Sequence, residues 1–258
     1  AVTRAVDAAR PAILTVVHAE TTTGVLNPVD ALSSVLRARE IPFIVDAVTS
    51  LGAAPVHAAR WGAAACYGCS QKGIGAPSGL GPIAFSPEAR LRPAGRSFAL
   101  DRALLEAFWL DRKYHHTISA PLIFALREAL VEVEEETLAA RWARHERHHR
   151  ALVAGLDAMG LSLLPPPPER IWSLNAVVVP DGVDEAAVRR ELLARHDIEI
   201  GGALGPLAGR IWRLGLMGSG STRANLLTFL SAFEDVLRAQ GFDSSRNAGA
   251  LAAESALS

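Results

Sequence analysis

Three short apolar runs near the start of the chain restrict its fold more than any other sequence feature. They cover residues 12–17 (AILTVV), 42–45 (PFIV) and 64–68 (AACYG), and helical patterns at 28–39 and 56–61 separate them. Nearly unbroken apolar runs of this length are typical of strands that are buried on both faces. Strands that alternate with helices in this way predict an α/β fold with a mostly parallel sheet.

The rest of the chain predicts a second, smaller domain. A charge-rich stretch from 121 to 159 has the spacing of one long helix or of two abutting helices, and short strand and helix patterns are mixed from 160 to 241. The last residues are rich in Ala, Ser, Asn and Gly with little periodicity, which is typical of disorder. We therefore expect part of a large domain at 1–120, a connecting helix at 121–160, a small α+β domain at 161–241 and a disordered tail at 242–258.

Polar and charged side chains follow the three predicted strands directly. Thr21 comes after the first strand, Asp46 ends the second, and Lys72 follows the third. Ligands of open α/β sheets bind beyond the carboxyl ends of the strands, and a buried charge there needs a partner. The acid and the amine are consistent with a plain salt bridge, or with a cofactor that needs an amine at one end and an acid at the other.

The scarcity of lysine is compatible with the cofactor but does not decide between these two interpretations. Of the 26 basic residues, only Lys72 and Lys113 are lysines. A desolvated lysine can form a Schiff base with an aldehyde, whereas arginine cannot. Pyridoxal 5′-phosphate (PLP) carries such an aldehyde, and a buried aspartate supports the proton on its ring nitrogen.

Charge and hydropathy exclude several kinds of partner. A net charge of −1 gives no electrostatic basis for binding nucleic acid or an anionic membrane. No apolar run reaches the roughly 20 residues of a membrane span, and the first residues lack the layout of a signal peptide. We therefore expect a cytoplasmic protein without nucleic-acid or membrane partners.

Two patterns resemble metal sites but favour simpler interpretations. Cys66 and Cys69 form a single C-x-x-C in a predicted buried strand, which indicates two small core residues. His145, His148 and His149 lie in the charge-rich helix, where a solvated face is the expected interpretation. We therefore predict no metal.

Four motifs together resemble those of a known family. VDAVTSLGAAP, CYGCSQKGIGAPSGLGPIAFS, KYHHTIS and GPLAGRIWRLGLMG occur in this order, and they are similar to motifs of the class V, fold type I, PLP-dependent aminotransferases. The resemblance runs from about residue 10 to about residue 240 and is greatest to alanine–glyoxylate and serine–pyruvate aminotransferases. It begins within the family's large domain, so we expect that domain to be incomplete, without its N-terminal part.

The resemblance implies a role for each matching residue. Lys72 would form the Schiff base and shuttle the substrate proton, and Asp46 would bond the pyridine nitrogen. Arg213 would bind the substrate carboxylate; its place on an otherwise apolar strand also favours a ligand, because an unpaired charge there is costly. The implied cofactor contacts are Val48 beside the ring, Thr21 at the 3-hydroxyl, Gln71 at the phosphate, and Tyr114 and Thr117 at the phosphate of the partner subunit's cofactor.

The implied reaction is transamination of a small amino acid, alanine or serine, with glyoxylate or pyruvate as the 2-oxo acid, in a homodimer with shared active sites. A ureidoglycine–glyoxylate or pyridoxamine–pyruvate type of class V enzyme remains an alternative, as does a truncated, non-catalytic fragment. A cysteine desulfurase is disfavoured, because Gln71 rather than histidine precedes Lys72 and no cysteine follows Cys69.

Overall fold

The first part of the chain alternates helices and strands, as the apolar runs predict. The computed structural model describes residues 2–89 and 97–258. Burial of Val29, Leu36, Phe43, Val45 and Trp61 forms the core between the sheet and its helices. The elements are α1 (Val2–Ala9), β1 (Leu14–Val17), α2 (Val29–Arg37), β2 (Phe43–Asp46), α3 (Ala58–Trp61), β3 (Ala65–Tyr67) and β4 (Ile83–Phe85).

These strands form one sheet in the order β1-β2-β3-β4. β1, β2 and β3 are parallel, and β4 runs antiparallel to β3. The register pairs Val17 with Asp46 and Asp46 with Tyr67. The carboxyl ends of the three parallel strands therefore meet at one edge, where the polar residues were expected.

Helices fill the middle of the chain. They are α4 (Arg102–Asp111), α5 (Ala120–Glu136) and α6 (Leu138–Ala158). Thr137 separates α5 from α6 because its backbone has a positive φ of 68°, and its side chain accepts a hydrogen bond from Ala140 N at 3.3 Å. The charge-rich stretch is thus two abutting helices.

The C-terminal part contains a second sheet packed against helices. Its strands have the order β5-β7-β6 and are antiparallel. α6 packs into the same core, which includes Leu152, Leu156, Val188, Trp212 and Phe233. The elements are β5 (Leu174–Val178), α7 (Glu185–His196), β6 (Gly201–Gly202), β7 (Ile211–Gly215), α8 (Arg223–Ala239) and α9 (Ala248–Leu257).

The prediction of a disordered tail at 242–258 is wrong, because this segment contains α9. Gly249 of α9 faces Gly155 of α6 so closely that a Cβ on Gly155 would lie 2.8 Å from the Gly249 carbonyl oxygen. Ala253 is fully buried in the same contact. Small residues allow the two helices to pack backbone to backbone, which the composition alone does not indicate.

The prediction of a solvated histidine face on α6 is also wrong. The exposed fractions of His145, His148 and His149 are 0%, 4% and 7%. Each ring forms a hydrogen bond to a neighbouring segment, which compensates for the loss of water. The partners are Gly218 N, Ser221 Oγ and Asn175 Oδ1.

Three further observations concern metals, membranes and the two cysteines. Within residues 2–89 and 97–258, no group of three or more His, Cys, Asp or Glu side chains is arranged to hold a metal ion. None of the described helices is long and apolar enough to cross a membrane. The two cysteines are both free, with Cys69 buried and Cys66 half-buried.

Candidate active site

The loops after β1, β2 and β3 converge at the carboxyl edge of the first sheet. Backbone hydrogen bonds continue past the strand ends, from His18 N to Asp46 O and from Ala47 N to Tyr67 O, both 2.8 Å. The hydroxyls of Thr21 and Thr49 lie 2.6 Å apart and connect the first loop to the second. The structure thus brings Thr21, Asp46 and the Lys72 segment to one edge.

Asp46 is held by two neutral donors. Its Oδ1 accepts a hydrogen bond from Val48 N at 2.9 Å, and its Oδ2 accepts one from the Tyr67 hydroxyl at 2.8 Å. The hydrogen bond to Asp46 and, secondarily, burial raise the pKa of the Tyr67 phenol. Among the described residues, no Lys, Arg or His forms an ion pair with Asp46. This half-buried carboxylate therefore keeps an unneutralised charge that a cationic nitrogen would match.

Lys72 lies in a tight turn after β3. The residue is half-buried, and within the described ranges its amine forms no hydrogen bond or ion pair, so it is available to react. Gly75 N donates to the Lys72 carbonyl at 3.0 Å. Ser70 fixes the base of the turn, because its hydroxyl donates to Pro77 O at 2.6 Å and its carbonyl accepts from Ala76 N at 2.9 Å.

The charges of both Lys72 and Asp46 shift the pKa of the Cys69 thiol. Burial raises its pKa, the Lys72 charge and the N–H groups of Gln71 and Lys72 lower it, and the Asp46 charge raises it. Its sulfur also lies 3.7 Å from Val48 O, across the gap between the second and third loops. The acid and the amine therefore act on one shared side chain.

Arg141 of α6 binds the backbone of the turn that contains Lys72. Its guanidinium donates to Gly73 O at 3.0 and 3.3 Å and to Ile74 O at 3.1 Å. It is 1% exposed, and Glu136 compensates its charge at 2.8 Å. No local sequence pattern indicates this contact, because Arg141 and Gly73 are 68 residues apart in the chain.

The segment around Gly218 packs against the same turn. Gly218 has a φ of +61°, and a Cβ there would lie 2.9 Å from Gly75 Cα and 3.1 Å from the Lys72 carbonyl oxygen. Gly218 N donates to His145 Nε2 at 3.0 Å, and His145 Nδ1 lies 2.7 Å from Arg141 O. The ring must therefore be neutral with its proton on Nδ1. Burial lowers the pKa of His145 to about 4, which agrees with that state.

The other predicted site residues are exposed or half-buried. Gln71 is exposed, and so is Tyr114, whose hydroxyl lies 3.1 Å from Thr117 Oγ1. Arg213 is half-buried on β7, and its Nε donates to Gly202 O at 2.7 Å. In the described part of the chain Arg213 forms no ion pair, so its charge is free to meet a carboxylate. The cofactor and substrate roles of these residues stay predictions.

Comparison with known proteins identifies the family. The family model for class V aminotransferases matches residues 2–237. The chain belongs to the class V aminotransferases. The resemblance inferred from the four motifs is thereby confirmed, and membership in this family implies a PLP cofactor.

Several solved class V aminotransferases share this fold. The ureidoglycine–glyoxylate aminotransferase of Bacillus subtilis has a TM-score of 0.94 at 36% identity, over 99% of this chain and 67% of its own. An alanine–glyoxylate aminotransferase from Nostoc sp. has a TM-score of 0.89 at 42% identity, over 92% and 64%. The pyridoxamine–pyruvate aminotransferase of Mesorhizobium loti has a TM-score of 0.90 at 29% identity, over 99% and 67%. The α/β fold prediction is confirmed.

The match extends to curated sequences. The chain is 35% identical to the (S)-ureidoglycine–glyoxylate transaminase of Bacillus subtilis, over 91% of this chain and 62% of that protein. The alanine–glyoxylate aminotransferase of Callithrix jacchus is 34% identical, over 89% and 58%. The chain thus spans about three-fifths of the length of these class V relatives.

The residues at the sheet edge fit the cofactor that the family implies. An aldehyde needs an amine without another partner, and a protonated ring nitrogen needs a carboxylate without a cation. Lys72 and Asp46 meet these requirements in the described structure. The paired hydroxyls of Thr21 and Thr49 add hydrogen-bonding groups at the same edge.

Proposed function

We propose that the protein works as a PLP-dependent aminotransferase that exchanges the amino group of alanine or serine with glyoxylate or pyruvate. The observation that carries this proposal is that one sheet edge of a class V chain holds both a lysine amine without a partner and a carboxylate without a cation, as far as the described residues go. When bound, PLP supplies an electron sink that stabilises negative charge at the substrate's α carbon.

The chain's own residues would bind, orient and move a proton. Lys72 would take the proton from the substrate's α carbon as a general base and, as a general acid, would deliver it to the cofactor carbon that carries the aldehyde in free PLP. Asp46 would accept a hydrogen bond from the ring nitrogen and would favour its protonated form. Arg213 binds the substrate carboxylate through its planar guanidinium. Its hydrogen bond to Gly202 O fixes Nε, so the remaining guanidinium nitrogens are available for the substrate.

The remaining predicted residues would hold the cofactor's periphery. Thr21 would contact the 3-hydroxyl, Val48 the ring and Gln71 the phosphate. Tyr114 and Thr117 would serve the partner subunit's cofactor in a homodimer with shared active sites. Their exposure supports this proposal, since Tyr114 is 79% exposed and its hydroxyl, within the part of the chain that the structure describes, contacts Thr117 alone.

The amino donor has two further candidates besides alanine and serine. The Bacillus subtilis relative, with its TM-score of 0.94, is named for ureidoglycine and glyoxylate. Glyoxylate is thus the acceptor in the names of both the ureidoglycine and the alanine relatives. Ureidoglycine and, from the Mesorhizobium loti structure, pyridoxamine belong beside alanine and serine in any substrate screen.

Cofactor attachment tests the central proposal directly. The protein is incubated with PLP and reduced with borohydride, which makes a lysine–cofactor bond permanent, and its peptides are then analysed by mass spectrometry. We expect the added mass on Lys72. Lys113 is a matched control, because it is the other lysine of the chain and its amine lies exposed, 3.9 Å from Asp111.

Lys72→Ala should abolish the labelling, and Lys113→Ala should leave it unchanged. Labelling of Lys113 alone, or equal labelling of both lysines, would show that the sheet edge does not select the cofactor. The substrate assignment is tested by measuring amino transfer from alanine, serine, ureidoglycine and pyridoxamine to glyoxylate and pyruvate. Attachment to Lys72 without transfer from any donor would support a non-catalytic fragment.

A further inference from the structure

The phenol of Tyr67 lies against the acid of the proposed site. Its hydroxyl donates to Asp46 Oδ2 at 2.8 Å. The sheet register sets this contact, because Asp46 of β2 and Tyr67 of β3 are direct partners in a parallel pair. The two side chains therefore emerge side by side on the same face of the sheet.

The hydrogen bonds on Asp46 fix the orientation of its carboxylate. Val48 N holds one oxygen and Tyr67 holds the other. Val48 N is part of the loop backbone and stays in place, whereas the second donor is a single side-chain hydroxyl. Each carboxylate oxygen has a further lone pair, so a third donor can still approach. Without the Tyr67 hydroxyl, the hydrogen bond from Val48 N alone would restrain rotation of the carboxylate about its Cβ–Cγ bond.

The surroundings of Tyr67 indicate that its hydroxyl serves to orient the Asp46 carboxylate. The residue is 37% exposed, so its ring contributes little to the core. Among the residues that the structure describes, Asp46 is the hydrogen-bond partner of this hydroxyl, and that bond is the largest cause of the raised pKa of the phenol. The hydroxyl therefore keeps its proton, and remains a donor to Asp46, over a wider pH range than a free phenol.

We propose that Tyr67 is a positioning residue that orients Asp46 toward the ring nitrogen of the cofactor and thereby strengthens the grip on that nitrogen's proton. The inference rests on the proposed function, since it assumes that PLP occupies the sheet edge. It assigns to Tyr67 an effect that depends on the ring nitrogen and on no other part of the cofactor.

A ligand without the ring nitrogen isolates this effect. The dissociation constants of PLP and of its analogue with carbon in place of that nitrogen are measured for the wild type and for Tyr67→Phe. Because hydrogen bonds to charged groups are among the stronger ones, we expect PLP affinity to fall about fivefold to tenfold. Affinity for the analogue should stay within about twofold, because the lost hydroxyl acts only through the nitrogen.

A double-mutant cycle with Asp46→Ala gives a second readout. In that background Tyr67→Phe should have no further effect on PLP affinity, because the two residues act through one contact. Equal loss of affinity for both ligands, or no loss for either, overturns the inference while cofactor attachment to Lys72 leaves the proposed function intact. A protein that takes up no PLP on Lys72 overturns both.

The contact itself is tested without cofactor. The chain has two tyrosines, so in a Tyr114→Phe background the ultraviolet titration reports Tyr67 alone. Asp46→Ala should lower the pKa of the Tyr67 phenol, because the carboxylate that raises it is removed. An unchanged titration would show that the hydrogen bond is absent in solution, and it would overturn the inference by itself.

Discussion

The buried guanidinium of Arg141 is hydrogen-bonded to the carbonyl oxygen of Gly73, the residue that follows Lys72. A side chain in the middle of the chain thus fixes the turn that presents the reactive amine. Because Arg141 also binds Glu136, its charge is compensated inside the protein. Loss of its guanidinium would leave the carbonyls of Gly73 and Ile74 without these donors.

Arg141→Met should therefore destabilise the protein strongly. Its loss leaves the buried carbonyls of Gly73 and Ile74 without these donors, which costs about 1–3 kcal/mol for each carbonyl. Arg150→Met is a matched control on the same helix, because Arg150 pairs with Glu146 at 2.5 Å but its side chain is 72% exposed. We expect the control to change the free energy of unfolding by less than about 0.5 kcal/mol. Urea denaturation measures both, and similar losses would contradict the assigned role of Arg141.

Gly218→Ala should disturb the Lys72 turn. The new Cβ would meet Gly75 Cα at 2.9 Å, and the backbone φ of +61° disfavours alanine. Strain and overpacking together predict a loss of about 2–4 kcal/mol. Gly220→Ala, two residues on, is the control because nothing lies within 4 Å of its added Cβ.

Borohydride trapping of PLP separates the two glycine variants further. Labelling of Lys72 should fall in Gly218→Ala and stay at the wild-type level in Gly220→Ala. Equal labelling in both variants would show that the Gly218 segment does not support the turn.

The stability of the protein should decrease in mild acid because of His145. Burial, the largest cause, and the charges of Arg144 and Arg141 lower its pKa from 6.5 to about 4, against the opposing effects of the Arg141 carbonyl and Glu136. Between these values the unfolded chain binds a proton that the folded chain does not. The contribution is therefore complete above pH 6.5 and is lost as the pH falls toward 4, by on the order of 3 kcal/mol.

The measurement is the free energy of unfolding at several pH values between 7 and 4. In His145→Gln, whose amide oxygen can still accept from Gly218 N, the acid-dependent decrease should be smaller by this contribution. His116→Gln replaces an exposed histidine and controls for the substitution itself. A His145→Gln profile parallel to that of the wild type would contradict the prediction.

The attachment of α9 gives a test at the other end of α6. The buried Glu234 accepts hydrogen bonds from Asn247 N at 2.6 Å and Gly249 N at 3.3 Å, at the start of this helix. Glu234→Gln weakens these charge-assisted bonds and should cost about 1–3 kcal/mol. Asp235→Asn is the control, because Asp235 is 54% exposed and pairs with Arg195 at the surface.

Hydrogen exchange should rise across residues 248–257 in Glu234→Gln and remain unchanged in Asp235→Asn. Unchanged protection of α9 in both variants would mean that the carboxylate of Glu234 does not anchor the helix.

Local sequence signals predicted the three parallel strands of the first sheet and the position of two charged residues after strand ends. Apolar runs predict the strands, and position after a strand end predicts that Asp46 and Lys72 share an edge. Tyr67 could not be assigned in this way, because its contact depends on the register between β2 and β3. A shift of one residue would place its side chain on the opposite face.

The errors concerned segments whose environment is set by distant residues. Charge-rich helices are usually solvated, yet Arg141 and His145 are buried because the turns at Gly73 and Gly218 supply hydrogen-bond partners. The tail has the composition of a linker, yet it is helical because Gly155 leaves space for Gly249. Neither partner lies near in sequence, so no local pattern could reveal it.

The segment of α6 between Arg141 and Gly155 restricts where insertions and deletions can occur in related proteins. One end of the helix secures the lysine turn and the other end receives α9. Inserting or deleting a single residue between them would rotate one end by about 100° relative to the other. Both contacts could not survive that rotation, so homologues that keep them must keep this segment at constant length.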